Sequence, residues 1–282
     1  MRHEEDEIQI LGAPDNRRKR RGYAYWGAVI GLLLVGIALL FWLMPQGESG
    51  SPQDAAVSQE LKELSQPDDN RMPERYVEPK LDIWTDTIND VPMKFFQLTA
   101  AKARLCMGTP SEQDSTLLMV LPAADIRKDN LGIVGDFVLE GKQYGNGKRK
   151  EGYVAILDER LFLGVSSSDT VMNYCADHRG SFFRQYALVF DGQVVKNKLK
   201  GKSLRRAVAR RDKDDSVYVI VSLQRESLYD FSEALADYGM TDAIYLPGGD
   251  AYAFYRKDTL LDYLGTSQEH IYPNTNYLLF CR

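Results

Sequence analysis

The residues best suited to chemistry surround two adjacent glycines, Gly248 and Gly249, in the stretch YLPGGDAYAF. Adjacent glycines leave the main chain bare, so a ligand or another chain can approach the backbone amides closely. Asp250 follows them and is the one acid of this corner that could act as a base or stabilise positive charge. A simple tight turn is the alternative interpretation, and the flanking segments bear on the choice.

The segments before this corner predict a strand, a helix and a second strand. VYVIV (217–221) and AIYL (243–246) are unbroken apolar runs, typical of strands buried on both faces. Between them, Ser227 can cap a helix whose apolar residues form one stripe, and Gly239 can end it. Such a unit predicts parallel strands with a ligand bound beyond their carboxyl ends. The corner at 247–250 has that position, which favours a ligand site there.

The rest of the chain from 81 to 282 consists mainly of short apolar or alternating stretches separated by turn signals, which is typical of β-structure. Hairpins are predicted with turns at Asp158-Glu159, at Asp191-Gly192 and in the charged run DKDD. A further helix is predicted in SSSDTVMNYCADHRG, with Ser or Asp at its N-cap and a glycine after its end. We therefore predict an α+β domain with a mixed, mostly antiparallel β-sheet and a few helices.

An uncharged apolar segment of 22 residues, 23–44, predicts a single transmembrane helix before this domain. Aromatic residues lie at both of its ends and RRKRR (17–21) precedes it, so the tail at 1–22 is expected in the cytoplasm. The linker at 45–80 is polar and predicted to be flexible, and the domain at 81–282 would be extracytoplasmic, periplasmic in a Gram-negative cell. A cleaved signal peptide is the competing interpretation, but its apolar part would be shorter.

Composition limits the classes of function. The chain is 27% charged and 44% hydrophobic, and its net charge of -5 gives no reason to expect nucleic acid binding. The three cysteines, Cys106, Cys175 and Cys281, are far apart, so neither a disulfide framework nor a CxxC metal site is predicted. The three histidines lack the spacing of metal ligands. We expect no metal ion and no cofactor, and the sequence indicates no particular oligomeric state.

Three short motifs, RGSFF, RRAVA and LPGGDAY, follow one another in the part of the chain from roughly Gly132 to Arg282. With this order of segments, that part resembles the phosphodiester glycosidase family. RGSFF (179–183) resembles the family's Asn-Gly-Gly-Phe-Phe, with Arg179 in place of the asparagine. RRAVA (205–209) resembles Arg-Thr-Ala-Ile-Gly and keeps the arginine as Arg205.

The third motif lies at the glycine corner. LPGGDAY (246–252) resembles Leu-Asp-Gly-Gly followed by a serine; it keeps Gly248 and Gly249, has Pro247 in place of the aspartate, and lacks the serine. The C-terminal stretch resembles a branch of the family common in membrane- or envelope-associated bacterial proteins, in which the Asp-Gly-Gly is also altered. The resemblance therefore implies the scaffold more strongly than the catalytic activity.

The activity implied by the resemblance is hydrolysis of a sugar 1-phosphodiester. Phosphate is a weakly basic leaving group, so the protein must chiefly hold it and stabilise an oxocarbenium-like centre. Arg205 is the first candidate for holding phosphate, followed by Arg184 and Arg179, because a planar guanidinium binds phosphate with two hydrogen bonds. Asp250 would act as base or stabiliser, the two corner glycine amides would add donors, and Tyr252 would stack on the sugar.

Several functions stay open at this point. The first is a membrane-anchored enzyme acting on sugar–phosphate diesters of envelope glycans. The second is a non-catalytic glycan-binding or envelope-assembly module on the same fold. The third is a structural partner whose membrane helix is the active interface. Single candidate residues also have structural roles as alternatives to ligand binding. An arginine before a strand commonly forms a surface ion pair, and an aromatic such as Tyr252 commonly packs in a core.

Overall fold

The structure is a computed structural model that covers most of the predicted extracytoplasmic domain. The described residues are 61–62, 77–147, 150–197, 199–212, 216–249, 251–265 and 274–282. The tail at 1–22, the apolar segment at 23–44, most of the linker at 45–80, and Asp250 lie outside them. Within the described part, no helix is both long enough and apolar enough to span a membrane.

The described strands form three sheets, in which every pairing of neighbouring strands is antiparallel. The first sheet contains β1 (Lys80–Ile88), β2 (Val91–Thr99), β10 (Ala187–Phe190), β11 (Gln193–Val194), β12 (Arg206–Arg210), β13 (Val217–Ser222) and β14 (Asp242–Tyr245). Their order across the sheet is β1-β2-β13-β12-β14-β10-β11.

The other two sheets have five strands each. The second contains β3 (Lys102–Met107), β4 (Leu117–Pro122), β15 (Ala253–Lys257), β16 (Leu260–Leu264) and β17 (Asn276–Cys281), in the order β16-β15-β4-β17-β3. The third contains β5 (Phe137–Leu139), β6 (Lys142–Gly145), β7 (Gly152–Leu157), β8 (Arg160–Val165) and β9 (Ser181–Gln185), in the order β6-β5-β9-β7-β8.

All three sheets turn one face toward a shared apolar core. Phe96 and Val208 reach it from the first sheet, Met119 from the second, and Val154 and Phe183 from the third. These side chains are completely buried, and each such burial contributes about 1.5–3 kcal/mol. Because the sheets enclose one core, strand ends from different sheets meet at its rim, and polar side chains at those ends can come together.

In the part of the chain from 77 onward that the structure describes, two helices cover outer faces of this arrangement: α1 (Thr170–Asp177) and α2 (Leu228–Asp237). The apolar stripe of α2 lies on the first sheet, where Phe231 and Leu235 belong to the same buried cluster as Phe95. The predicted helix with its stripe is therefore confirmed. Its position also explains why the strands of this sheet are apolar on both faces, since one face meets α2 and the other meets the central core.

The helix α1 lies on the third sheet, against which it buries Val171 and Cys175. Burial raises the pKa of the Cys175 thiol to about 12, and all three cysteines are free thiols. Leu61, from the predicted linker, is helical and buried in the same cluster. At this position the predicted linker therefore contacts the domain.

The predicted hairpins are confirmed. β7 and β8 turn at Asp158-Glu159, where both residues have positive φ, and β10 and β11 turn at Asp191-Gly192 with positive φ at both positions. Two consecutive positive φ angles match the right-handed twist of the flanking strands. β12 and β13 also pair as predicted, and the turn residues 213–215 lie outside the described part.

The predicted strand–helix–strand unit forms with one difference. β13 and β14 run in the same direction, because each is antiparallel to β12, but β12 lies between them. The reason is local: β12 is joined to β13 by a short connection and takes the neighbouring place, so the chain passes over it through α2 before adding β14. The parallel direction of the two strands is therefore confirmed, and the insertion of β12 between them is a feature that the sequence analysis did not address.

The N-cap of α2 generates a stability prediction. Ser227 is extended, and its hydroxyl oxygen accepts a hydrogen bond from the backbone N–H of Asp230 at 3.0 Å. Ser227→Ala should lower the free energy of unfolding by about 1 kcal/mol, because that N–H loses its acceptor. Urea denaturation followed by circular dichroism measures the change, with Ser227→Thr as the control that keeps the hydroxyl. An unchanged midpoint in the alanine variant would contradict the cap.

Candidate functional site

A buried lysine lies where strand ends of the sheets meet. The Lys150 side chain is 2% exposed, and its Nζ donates hydrogen bonds to Oδ2 of Asp125 and, at 2.6 Å, to Oε1 of Gln185. The ammonium also lies 4.9 Å from the centre of the Tyr186 ring. The Asp125 side chain is 36% exposed, so within this ion pair the carboxylate is in contact with solvent and the ammonium is buried.

Different strands supply these side chains. Asp125 follows β4, Lys150 lies just before β7, and Gln185 is the last residue of β9. Gly152 allows them to approach: a Cβ there would lie 2.6 Å from the backbone nitrogen of Ala187 and 2.7 Å from the carbonyl oxygen of Gln185. Any side chain at 152 would push β7 away from the end of β9, and Lys150 would move with it.

Tyr245, the last residue of β14, connects this cluster to the glycine corner. Its ring makes an edge contact with that of Tyr186, with centroids 6.5 Å apart, and its hydroxyl oxygen accepts a hydrogen bond from the N–H of Gly248 at 3.3 Å. We refer to Asp125, Lys150, Gln185, Tyr186 and Tyr245 as the Lys150 site.

Charges surround the phenol of Tyr245. Burial is the main cause that raises the pKa of this hydroxyl above its ordinary value, and the charge of Asp125 raises the pKa further. The N–H of Gly248 and the charges of Arg205 and Arg206 act in the opposite direction. One carboxylate and two guanidinium groups therefore act electrostatically on the same hydroxyl. With the nearby Lys150, basic groups predominate among the described ones, which favours an anionic ligand.

The glycine corner is held by contacts within the chain. Gly248 has a φ of +37°, and its carbonyl accepts from the N–H of Ala251 at 2.9 Å. The N–H of Gly249 donates to the carbonyl of Leu204 at 3.2 Å, and a Cβ on Gly249 would overlap the side chain of Leu204. Close approach of the chain to itself therefore explains Gly249. With Tyr245 accepting from Gly248, both amides have acceptors within the protein, and their predicted role as ligand donors stays a prediction.

Arg205 and Arg206 are directed to different neighbours. Arg205 donates from Nε to the carbonyl of Glu226 at 2.9 Å and from Nη2 to that of Gly201 at 2.7 Å, which joins two loops. Arg206 is 1% exposed and donates from Nη2 to the carbonyl of Ala251 at 3.2 Å, which ties the corner to β12. Arg206, which the sequence did not single out, is thus the arginine in contact with the corner; the predicted role of Arg205 in holding phosphate stays a prediction.

Arg184 is completely buried behind the site. Its Nε donates to Oδ2 of Asp136 at 2.7 Å, its Nη1 to the carbonyl of Ser166 at 2.6 Å, and its Nη2 to the carbonyl of Ser168. A longer contact of 3.4 Å joins Nη1 to the carbonyl of Lys150. These contacts hold the segment that carries Lys150 in place. In this structure Arg184 therefore supports the Lys150 site from behind. The predicted role of Arg184 in binding substrate stays a prediction.

Arg179 and Tyr252 lie away from the Lys150 site. Arg179 is exposed and precedes β9, whereas Gln185 is the last residue of that strand, so the two lie at opposite ends of β9, which is about 16 Å long. Tyr252 is 2% exposed, belongs to an apolar cluster with Phe254, and donates its hydroxyl to Glu112. The structure therefore places Tyr252 in a core rather than on a surface open to a sugar, and it does not bring Arg179 to the other candidates.

Sequence reasoning missed all five members of the Lys150 site, Asp125, Lys150 and Gln185 among them. A signal for two of them was present, since Asp125 directly follows the apolar run LLMVLPAA and Lys150 comes just before the apolar run YVAIL. Charged residues at the ends of buried strands are the ones that meet at a rim. No pattern distinguishes Gln185, because its approach to Lys150 depends on how β7 and β9 pair.

Comparison with known proteins supports the fold. The sequence matches no family model and no curated protein. The catalytic domain of zebrafish N-acetylglucosamine-1-phosphodiester alpha-N-acetylglucosaminidase, auto-inhibited by its pro-peptide, has a TM-score of 0.56 at 15% identity, covering 75% of this chain and 85% of that chain. A hypothetical protein from Synechocystis has a TM-score of 0.51 at 12% identity, covering 75% and 65%. The fold therefore resembles that of a phosphodiester glycosidase; at these identities the likeness extends to the fold alone.

The buried pair of Arg184 and Asp136 generates a second prediction. Arg184→Met leaves the Asp136 carboxylate, whose side chain is 10% exposed, without its cation, and should cost about 3–5 kcal/mol of unfolding free energy. The double variant with Asp136→Leu should recover part of that loss, because the unpaired charge is gone. Urea denaturation measures both, and Arg179→Met, at an exposed arginine, is the matched control. Equal effects of Arg184→Met and Arg179→Met would rule out the buried pair.

Proposed function

We propose that this chain is a membrane-anchored, phosphodiester glycosidase-like protein that hydrolyses sugar 1-phosphodiesters of envelope glycans at the Lys150 site. The observation that supports it most is the convergence of a buried Lys150, a partly exposed Asp125 and the Tyr245 hydroxyl beside the glycine corner. This convergence occurs in a fold that resembles that of a phosphodiester glycosidase. The convergence, rather than the likeness of fold, carries the proposal, because one fold can serve many functions.

The basic groups suit the phosphate of such a substrate. Lys150 and Arg206 are both almost completely buried, so a phosphate beside them would interact with positive charge that water screens little. Arg205 adds positive charge from the side of the two loops that it joins. A phosphodiester carries one negative charge and several acceptor oxygens, which matches the positive charge of these basic groups.

Asp125 suits the sugar end of the reaction. Phosphate is a weakly basic leaving group, so departure needs little protonation, and a single carboxylate can stabilise an oxocarbenium-like centre or activate a water molecule. The Asp125 side chain is partly exposed to solvent, and the hydrogen bond that its carboxylate accepts from Lys150 holds the side chain in place. We assign it the role that the family aspartate, replaced by Pro247, would otherwise have.

A non-catalytic glycan-binding or envelope-assembly module is the second candidate. Two observations favour it: Pro247 occupies the position of the family's aspartate, and the Asp125 carboxylate is engaged by Lys150. Such a module would hold a sugar phosphate through the same basic groups without breaking a bond. Binding without release of sugar separates this candidate from the enzyme.

The enzyme proposal predicts the effect of removing the carboxylate. Asp125→Asn should lower kcat for a sugar 1-phosphodiester by about 100-fold or more, because the amide neither accepts a proton nor carries the negative charge. Release of free sugar by the purified full-length chain is the measurement, across phosphodiesters of several sugars.

Asp129→Asn is the matched control, because Asp129 is exposed on the loop that follows the site. It should leave both kcat and the unfolding temperature unchanged. Asp125→Asn leaves the buried Lys150 without its anion and should unfold at a lower temperature, so kcat is measured where circular dichroism shows both variants to be folded. Equal rates for wild type and Asp125→Asn would reject the role of Asp125. Failure of the wild type to release sugar from any phosphodiester, together with measurable binding, would favour the module.

The membrane anchor is the remaining part of the proposal, and it rests on the sequence of residues 23–44 and the basic run before them. The chain should resist extraction from membranes by alkaline carbonate. Leu33→Arg combined with Leu34→Arg should shift it to the soluble fraction, since each arginine at the centre of a span costs about 2.5–3.5 kcal/mol. The control places arginines at Ser49 and Ser51, beyond the span. Extraction of the wild-type chain by carbonate would reject the anchor.

A further inference from the structure

Gln185 has a side-chain amide of which only one end is bonded. The residue is completely buried, and its Oε1 accepts a hydrogen bond from Nζ of Lys150 at 2.6 Å. An ammonium group can only donate, so the oxygen of the amide must face it and the nitrogen must face away. Among the described residues, none accepts a hydrogen bond from Nε2 of Gln185.

The surrounding chain keeps the amide in this orientation. Turning the amide over would place its N–H groups against the ammonium of Lys150, donor against donor. The backbone cannot relax either, because Gln185 pairs with Gly152 and the close approach of β7 and β9 depends on that glycine. Buried donors without acceptors are costly and rare in native proteins, and a ligand oxygen is one way to satisfy them.

The charges nearby select the kind of acceptor. Lys150 lies directly beside the amide, and the guanidinium groups of Arg205 and Arg206 act on the adjacent Tyr245. An anionic oxygen is therefore favoured over a neutral one. In a sugar 1-phosphodiester, the phosphate oxygens are acceptors that carry negative charge, whereas sugar hydroxyls are neutral and also donate.

We propose that Nε2 of Gln185 donates a hydrogen bond to a phosphate oxygen of the ligand, beside the ammonium of Lys150. The identity of the ligand rests on the proposed function. Of the ion pair beside the amide, the Lys150 side chain is 2% exposed and the Asp125 side chain 36%, so the phosphate approaches from the side of Asp125. Gln185 is then a determinant of specificity for the phosphate end of the substrate.

Isothermal titration of the full-length chain with inorganic phosphate tests this inference. Gln185→Leu should weaken phosphate binding by about tenfold or more, because a hydrogen bond to a charged group is lost. Gln185→Glu should abolish it: the carboxylate can still accept from Lys150, but it replaces the donor with a negative charge. The matched controls are Gln193→Leu and Gln193→Glu, at an exposed glutamine in β11, and both should bind as the wild type does.

Binding of phosphate by Gln185→Leu and Gln185→Glu at wild-type affinity would overturn the inference, as would absence of phosphate binding by the wild type. If neither variant folds, the wild-type chain labelled with 15N-glutamine decides: one side-chain amide signal must shift on titration with phosphate, and no shift overturns the inference. The two proposals fail separately. Phosphate binding that depends on Gln185 without release of sugar rejects the enzyme alone, and release of sugar without phosphate binding rejects this inference alone.

Discussion

An ammonium group buried between β-sheets requires hydrogen-bond acceptors, and this requirement organises the rim of the central core. Lys150 meets it with Asp125, from the end of β4, and Gln185, from the end of β9. One charge thus joins segments of two sheets. The first sheet is joined to them at the next step, where the N–H of Tyr245 donates to the carbonyl of Tyr186 at 2.9 Å. Polar groups collect where strand ends meet because the apolar core excludes them from everywhere else.

Local features of the fold could be predicted because local interactions determine them. The turn at Asp191-Gly192 and the cap at Ser227 depend only on residues a few positions away. The choice of strand partners depends on burial across the whole domain. β9 and β10 are separated by Tyr186 alone, yet they belong to different sheets. An alternating pattern indicates which face of a strand is buried, but it does not identify the neighbouring strand.

For single residues of the site, too, local features were predictable and long-range contacts were not. Arg184 and Gln185 are adjacent, so their side chains lie on opposite faces of β9. Residue type favoured Arg184 as the ligand-binding group, whereas orientation brings Gln185 to Lys150 and Arg184 to Asp136. That the corner lies beyond the end of β14 was predictable, and its role in binding a ligand stays a prediction. Which side chains would meet there was not, because it depends on three sheets at once.

The glycine corner shows how scaffold and chemistry can separate. Gly249 is required by the close approach of Leu204, a constraint of the fold that holds with or without a ligand. A resemblance based on these glycines therefore indicates a shared backbone conformation. It does not require the family's acid, whose place Pro247 occupies here. In the function that we propose, a carboxylate from another strand end at the same rim, Asp125, takes the role of that acid, and the backbone of the corner stays unchanged. Strand ends tolerate such exchange because their side chains add little to the core, so the chemistry of this fold has to be inferred from the rim and not from the motif.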